Sequence, residues 1–461
     1  MRRPVLLLLL PLCLVLACAP VDQPVAAAPQ PERADLVTEA VLAHARADTF
    51  ALDALRELCD EVGPRVAGSE GMRRAHGWAE RRLRAAGADS VWTEPVTVPR
   101  WERGREWARL VAPYDAPLGI LALGGSDGTD GVLEAEVMAV RDWDELEARA
   151  DEAAGKIVLF DPPWRSYGFN VQYRGHAASR AAAHGAVAAL IRPAGFGHNT
   201  PHTGVMRYDA DQPRIPAASL TEEGAALLHR LADHGLRPRV QLSLGARNLD
   251  DGPCANMVGE LRGREAPDEI VLLAAHLDAW DAGSGAHDDG GGCAMMVGAL
   301  ETLTDLGLRP RRTLRVVLFT SEEFGGQGGR AYAERHADTV DRHVLALESD
   351  GGCFAPAGFS VRADSLTIDA LARFAAPLAR LGADSVFAGG AGLDVEPLVD
   401  LGVIGVGHRV DHGEYFRYHH SPADVFDAVA PADLAANVAA IAAFIYAVAD
   451  SPQPIPRTEA N

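Results

Sequence analysis

The second half of the chain predicts an α/β fold, in which a mostly parallel mixed sheet is flanked by helices. Beyond residue 269, unbroken apolar runs alternate with helix-like segments, and the runs cover residues 270–275, 313–319, 344–347 and 403–406. A strand that is apolar at every position is buried on both faces, which is typical of a parallel sheet covered by helices. In such folds, ligands bind beyond the carboxyl ends of the strands.

The first half predicts helices, one strand and then an insert with its own small core. Apolar residues recur at helical spacing between residues 47 and 88, with a break at Gly63-Pro64-Arg65. Residues 90–98 then alternate as a strand does, and the predicted strand ends at Pro99. The next short apolar runs are separated by Gly/Pro turns and cover residues 119–123, 132–140, 157–160, 187–191 and 240–244.

These patterns predict how the chain is divided. Residues 47–114 and 251–450 are expected to form the main domain, and residues 115–250 are expected to form the insert. Residues 451–461 are predicted to be a tail. Beyond the N-terminal run described next, no stretch is expected to be long and apolar enough to span a membrane.

The N-terminus predicts export from the cytoplasm. Two arginines precede an apolar run at residues 5–15, so residues 1–17 are typical of a signal peptide and too short for a good membrane span. The run Val15-Leu16-Ala17-Cys18 also resembles a bacterial lipobox. Two exported forms therefore remain open, one lipid-anchored to a membrane through Cys18 and one soluble, either extracellular or periplasmic. Residues 18–46, which begin rich in Pro and Ala, are predicted to be a linker.

Composition narrows the function classes. The 461 residues are 48% apolar and 23% charged, which is ordinary for a folded globular protein. The net charge of −21 argues against nucleic acid as a partner, because phosphates would be repelled. Outside the predicted signal peptide and Cys18, the cysteines are Cys59, Cys254, Cys293 and Cys353. They form no Cys-x-x-Cys pair, so a zinc knuckle is not supported. Which of them pair in disulfides, if any, stays open.

Histidines and carboxylates follow the predicted strands of the main domain. They are His276, Asp278, Asp288, Asp289, Glu322, Glu323, Asp350, His419 and His420. Imidazole and carboxylate are natural zinc ligands, and one bridging carboxylate can serve two ions about 3.5–4 Å apart. Of two adjacent glutamates, one can ligate while the other stays free to accept a proton. Any one of these residues alone would more often be a turn or capping group. Their recurrence at strand ends predicts a metal site.

Several motifs resemble those of the M28 family of zinc peptidases. They are Val62-Gly63-Pro64-Arg65, Trp101-Glu102-Arg103-Gly104, Gly155-Lys156-Ile157-Val158, Pro201-His202-Thr203-Gly204, His276-Leu277-Asp278-Ala279-Trp280-Asp281, Asp288-Asp289-Gly290-Gly291-Gly292 and Leu306-Gly307-Leu308-Arg309-Pro310. The resemblance extends over about residues 50–450. It implies the phosphorylase/hydrolase-like fold of zinc exopeptidases, and it likens the insert to a protease-associated (PA) domain.

The resemblance also implies a role for each site residue. Two zinc ions per chain would be held by His276, Asp288, Glu323, Asp350 and His420. Asp288 would bridge the ions, Glu322 would be the general base, and Asp278 would be its partner at the metal site.

Three residues near the predicted ligands carry separate expectations. The family pattern His-Ser/Thr-x-x-Asp is matched from His420 to Asp424, so His419 is expected to point elsewhere. His287 departs from the family and adds a ligand-like side chain beside the bridging aspartate. Tyr418 is a candidate donor to the oxyanion of the transition state.

The leading hypothesis is therefore a zinc metallo-exopeptidase that cleaves dipeptides or short peptides. The resemblance favours carboxypeptidase or dipeptidase specificity and implies a homodimer, while an aminopeptidase and a non-catalytic scaffold on the same fold are the alternatives. Residues 124–128 match Gly-x-Ser-x-Gly, but the loop continues beyond them, so they predict a turn instead of a nucleophile elbow.

Overall fold

The computed structural model describes residues 31–456, with side chains from residue 36. The predicted signal peptide, Cys18 and the end of the predicted tail lie outside the described residues. The α-helices are α1 (Pro31–Ala47), α2 (Phe50–Glu57), α3 (Glu70–Ala85), α4 (Trp143–Ala148), α5 (Tyr167–Ala182), α6 (Glu222–Asp233), α7 (Gly291–Asp305), α8 (Gln327–His336), α9 (Ser365–Ala375), α10 (Glu396–Asp400), α11 (Tyr415–Tyr418) and α12 (Pro431–Asp450).

The strands form two sheets. They are β1 (Ser90–Glu102), β2 (Glu106–Ala112), β3 (Ala116–Leu118), β4 (Ile120–Ala122), β5 (Leu133–Val140), β6 (Ile157–Phe160), β7 (Ala188–Ile191), β8 (Ala217–Leu220), β9 (Arg239–Leu244), β10 (Arg247–Leu261), β11 (Ala266–His276), β12 (Arg312–Phe319), β13 (His343–Glu348), β14 (Pro356–Arg362), β15 (Val386–Ala388) and β16 (Ile404–Val410). Short π-helical turns cover Leu58–Val62 and Ala286–Gly290. The sheet that contains β1 and β11 is called the main sheet, and the sheet that contains β2 and β6 is called the second sheet.

The main sheet has a parallel centre with mixed edges. Its strand order is β1-β10-β12-β11-β13-β16-β14-β15. The four strands that the sequence predicted, β12, β11, β13 and β16, are parallel neighbours. The antiparallel strand β10 was not predicted, and β1 runs beyond Pro99 to Glu102, where it still pairs with β10. The predicted α/β class with a mixed sheet is confirmed.

The central strand β11 explains why its sequence is apolar without interruption. Val271, Leu273 and Ala275 face a core that includes helices α2, α3, α7 and α12. The alternate residues, such as Leu272, face a second core beneath α8 and α10. Because successive side chains of a strand point to opposite faces, burial on both faces requires an apolar residue at each position.

Two expectations from the sequence are wrong at the ends of the main domain. Residues 31–47, which the sequence placed mostly in a linker, form helix α1, whose Val41 and Leu42 are buried against the main core. Helix α12 is long and apolar enough to span a membrane by composition, yet 67% of its most apolar window is buried inside the protein. Its apolar character comes from packing on the main sheet, where Phe444 stacks on Phe359 with a centroid distance of 4.0 Å.

The second sheet has the order β3-β2-β9-β5-β6-β7-β8-β4 and its own apolar cores. It begins with β2 at Glu106, before the insert boundary predicted at residue 115, and its last strand ends at Leu244. The Ser126 hydroxyl in the Gly-x-Ser-x-Gly turn donates to the carbonyl of Asp127 and accepts from the N–H of Ala217. This serine is buried in a structural turn. The four described cysteines are free thiols, so none of them pairs with another.

The two sheets are joined by packing contacts beside the end of β11. Trp101 and Trp280 belong to the main domain but are buried in the core of the second sheet, with ring centroids 6.0 Å apart. Arg103 Nη2 donates to Asp281 Oδ1 at 2.6 Å. A Cβ atom on Gly124 of the second sheet would lie 1.9 Å from the Trp280 ring, so only glycine leaves room for the indole there.

This packing predicts that Gly124→Ala destabilises the protein. The added methyl group must displace Trp280, and overpacking of this kind costs about 1–3 kcal/mol. The free energy of unfolding in urea measures the loss. Gly168→Ala is the matched control, because a Cβ on Gly168 meets nothing within 4 Å and alanine favours the helix. Equal stability of the two variants would contradict the close packing of Trp280.

Candidate metal centre

The five residues predicted as metal ligands lie together at the carboxyl edge of the main sheet. His276 is the last residue of β11, Glu323 follows β12, and Asp350 follows β13. Asp288 lies in the π-helical turn before α7, and His420 lies two residues after α11. Parallel strands end at the same edge of a sheet, which brings these distant positions of the chain together.

Asp288 lies between two pairs of side chains. One of its oxygens, Oδ1, lies 3.2 Å from His276 Nε2, and the other, Oδ2, lies 3.2 Å from His420 Nε2. His276 Nε2 is also 3.5 Å from Asp350 Oδ1, while His420 Nε2 is 2.8 Å from Glu323 Oε2. We call Asp288 Oδ1, His276 and Asp350 the His276 half, and Asp288 Oδ2, His420 and Glu323 the His420 half.

The donor atoms of both halves fit divalent zinc. Among the described residues, His276 Nε2, Asp288 Oδ2, Glu323 Oε1 and Asp350 Oδ1 are buried atoms without a hydrogen-bond partner. Such atoms are costly to leave unsatisfied. Imidazole nitrogens and carboxylate oxygens are zinc ligands, and one carboxylate shared by two sets of ligands is the arrangement of a two-metal site.

Asp289 and Asp278 support this arrangement from behind. Asp289 Oδ1 accepts from the Gly292 N–H in the first turn of α7, and its Oδ2 accepts from the His276 N–H. The carbonyl of Asp278 lies 3.0 Å from His276 Nδ1, which orients the imidazole. Asp278 Oδ1 also accepts from the N–H of Glu322 at 3.2 Å. Asp278 is fully buried and therefore positions both His276 and Glu322.

The electrostatics of the centre separate the roles of its carboxylates. Burial disfavours the charge of Asp288, but the imidazoles of His276 and His420, each 3.2 Å from one of its oxygens, hold its pKa well below the usual value. Burial raises the pKa of Glu322 well above its usual value, and the carboxylates of Asp350 and Glu323 add to this effect against the opposing charge of His276. Asp288 is thus suited to remain charged, and Glu322 is suited to accept a proton.

The carboxylates around His420 favour positive charge at this position. Burial lowers its pKa, but Glu323 and Asp288 outweigh burial and raise the pKa to about 9. A narrow cleft opens beside it and is lined by Trp280, Asp288 and Glu323. Its free space is about that of one water molecule, so the cleft fits an ion or a water against the shared carboxylate.

Two residues of the centre have left-handed backbone although neither is glycine. The φ angle is 62° at Ser321, which precedes Glu322, and 60° at His420. This conformation costs roughly 1–2 kcal/mol for a residue with a Cβ atom, and such strain clusters at functional sites. The rest of the structure therefore holds both turns in place.

The expectation that His419 points elsewhere is wrong. Its Nε2 lies 3.7 Å from Asp288 Oδ2, and its ring stacks on that of His420 with centroids 3.6 Å apart. The left-handed turn at His420 places these consecutive side chains next to each other. His419 is therefore a further nitrogen donor close to the His420 half.

His287 and Tyr418 lie together beside the centre. His287 Nδ1 accepts from the Cys353 N–H at 3.1 Å, and its ring stacks on Phe354 and Tyr418. His287 is thus a packed structural residue, which removes the ambiguity that its sequence position created. The role of Tyr418 as an oxyanion donor stays a prediction.

The sequence missed the contribution of the second sheet to this site. Arg174 Nη1 on α5 lies 3.1 Å from His420 Nδ1, and His202 Nδ1 lies 2.8 Å from the His419 carbonyl. The Thr203 N–H donates to the His420 carbonyl at 2.8 Å. The motif Pro201-His202-Thr203-Gly204 offered a signal for the last two contacts. Arg174 lies in an ordinary helix and gave no signal.

The chain is similar in sequence to known peptidases. The model of peptidase family M28 matches residues 256–445. Carboxypeptidase Q from Homo sapiens is 38% identical over 418 residues, which cover 90% of this chain and 88% of that protein. Carboxypeptidase Q from Mus musculus is 39% identical and covers 87% of this chain and 86% of its own length.

Solved structures of other peptidases are also similar to this chain. A peptidase M28 precursor from Shewanella amazonensis SB2B has a TM-score of 0.89 at 35% identity, covering 93% of this chain and all of that one. A zinc aminopeptidase from Bacillus subtilis has a TM-score of 0.66 at 20% identity, covering 88% of this chain and 98% of its own. At that identity the second likeness concerns the fold alone.

The centre predicts that zinc stabilises the protein through Asp288. After treatment with a chelator, added Zn²⁺ should raise the melting temperature, since an ion at one hundred times its Kd adds about 2.7 kcal/mol. Asp288→Asn should lose most of this response because both halves use its carboxylate. His198→Asn alters a histidine whose side chain is 83% exposed and should keep the full response. A full zinc response in Asp288→Asn would contradict the shared role.

Proposed function

The chain belongs to peptidase family M28, and from this we propose that it is a two-zinc exopeptidase that hydrolyses dipeptides or short peptides, most simply as a carboxypeptidase or dipeptidase. The observation that carries the proposal is the Asp288 carboxylate shared between His276 and His420, with Glu322 adjoining the ligand Glu323. A general base beside a two-metal site is typical of metal-dependent hydrolases.

The chain's own residues divide the work of hydrolysis. His276, Asp350 and Asp288 would hold one zinc ion, and His420, Glu323 and Asp288 would hold the other. Bound zinc supplies Lewis acidity that polarises the scissile carbonyl and makes water more acidic. Glu322 accepts a proton from the attacking water, and the same carboxyl then delivers that proton to the departing amine. Its raised pKa suits both transfers.

Asp278 acts through other residues. Its carbonyl orients His276, and its carboxylate holds the backbone of Glu322. It does not face the reacting atoms through these contacts, so it is a positioning residue and Glu322 is the catalytic one.

The choice between peptide termini rests on the relatives. The carboxypeptidase Q sequences match nearly the whole chain at about 38% identity, whereas the aminopeptidase neighbours share only the fold. This supports the carboxypeptidase or dipeptidase form over the aminopeptidase form. A non-catalytic scaffold is less well supported, because the proposed ligands and Glu322 are all present.

The remaining features of the proposal depend on the sequence. We propose that residues 115–250 are a protease-associated insert, that the protein is a homodimer, and that it is exported, either soluble or anchored through a lipidated Cys18. The net charge of −21 supports a peptide substrate over nucleic acid.

Replacing the proposed base should separate chemistry from metal binding. Glu322→Gln should lower kcat by roughly 10²–10⁴-fold, since general acid–base catalysis contributes about that much. Zinc content by elemental analysis should stay that of the unaltered protein. Glu334→Gln, at an exposed position of α8, is the matched control and should keep full activity. A nearly fully active Glu322→Gln variant would overturn its assignment as the base.

A panel of blocked dipeptides distinguishes the three exopeptidase types. A carboxypeptidase cleaves N-acylated dipeptides and loses activity when the C-terminus is amidated. A dipeptidase that needs both free termini cleaves neither blocked form, and an aminopeptidase cleaves only the amidated one. The rates of amine release measure each case. Cleavage of the amidated peptides alone would contradict the carboxypeptidase or dipeptidase form.

A further inference from the structure

The Nδ1 atoms of the two proposed ligand histidines face different kinds of partner, an acceptor at His276 and a donor at His420. His276 Nδ1 lies 3.0 Å from the carbonyl of Asp278, which is an acceptor. His420 Nδ1 lies 3.1 Å from Nη1 of Arg174, which is a cationic donor. A metal-bound histidine usually donates its other N–H to a carbonyl or carboxylate. The His276 half follows this pattern, and the His420 half reverses it.

Arg174 is a buried charge without a carboxylate of its own. The residue is 6% exposed, and its guanidinium contacts the Tyr167 hydroxyl at 2.9 Å and the Thr203 carbonyl at 3.4 Å. Among the described residues no Asp or Glu forms an ion pair with it, and its Nε has no hydrogen-bond partner. The positive charge is therefore compensated mainly by the carboxylates of the metal centre.

The surrounding backbone holds Arg174 against the histidine. A Cβ atom on Gly204 would lie 2.3 Å from Arg174 Nη1 and 2.6 Å from His420 Nδ1, so this glycine closes over their contact. The ring of Tyr167 lies 5.5 Å from the guanidinium carbon. Arg174 thus has little space to turn away.

We propose that Arg174 makes the two cation positions unequal, so that the His420 half binds a divalent cation more weakly than the His276 half. The inference rests on the proposed two-metal site. Two effects act in the same direction. A fixed positive charge repels a cation held by His420, and arginine has only donors to offer. An imidazole that ligates through Nε2 carries its hydrogen on Nδ1, where it would face the N–H of Arg174.

Unequal affinity has a functional consequence. At limiting zinc the His276 half fills first, and the complete centre forms only at higher zinc concentration. Arg174 lies on α5, which packs on the second sheet, so this part of the molecule sets the metal concentration that the enzyme needs.

Cobalt titration of the chelator-treated full chain tests this inference. Visible absorption and calorimetry should resolve a tighter and a weaker Co²⁺ step, differing at least about tenfold, as changes behind a ligand commonly produce. Asp350→Asn should remove the tighter step and Glu323→Gln the weaker one, which assigns each step to its half.

Removing the charge of Arg174 should lower the Kd of the weaker Co²⁺ step and leave that of the tighter step unchanged. Arg174→Met should strengthen the weaker step by about tenfold and leave the other step unchanged. Arg174→Lys keeps the charge and should keep the gap. The matched control is Arg180→Met on the same helix, since Arg180 lies over the Trp143 ring instead. If Arg174→Met fails to fold, Arg174→Gln removes the charge while retaining a donor for Thr203.

The outcomes separate this inference from the proposed function. Two equal steps in the unaltered protein, or a weaker or unchanged second step in Arg174→Met, would overturn the role of Arg174 and leave the exopeptidase proposal standing. Absence of any Co²⁺ binding would instead remove the two-metal site and the inference with it.

Discussion

The structure depends on keeping the Asp288 carboxylate charged while it is buried between two histidines. Asp288 is 4% exposed, and its two oxygens face His276 and His420 at equal distances of 3.2 Å. A buried anion is strongly unfavourable unless positive charge or hydrogen bonds compensate it. The Asp424 carboxylate fixes the turn that carries Asp288, because it accepts from the backbone N–H of both His287 and Asp288. A pair of divalent cations would complete this compensation.

The loop between β11 and α7 places this carboxylate, and a buried arginine closes the loop. Arg65 is fully buried and donates through Nε to the Leu277 carbonyl at 2.6 Å and through Nη2 to the Gly285 carbonyl at 2.8 Å. These carbonyls lie at the two ends of the loop, so one planar guanidinium sets its width. The motif Val62-Gly63-Pro64-Arg65 therefore has a structural reason to accompany His276 and Asp288.

The two halves of the centre depend on different parts of the molecule. The His276 half is built by the ends of β11 and β13 and by the turn before α7, all within the main domain. The His420 half also contacts Thr203 and Arg174 from the second sheet. Packing of the second sheet against Trp280 and contacts at His420 thus join its position to the proposed metal centre.

The sequence alone determined the α/β class, the parallel centre and the residues that gather at its carboxyl edge. It could do so because burial on both faces of a strand requires unbroken apolar runs, and because strand ends converge. The tertiary structure alone decided that α1 packs on the core, that His419 lies beside His420, and that Arg174 lies against the Nδ1 side of His420. These features depend on a backbone turn and on contacts between segments far apart in the chain, for which local sequence carries no periodic signal.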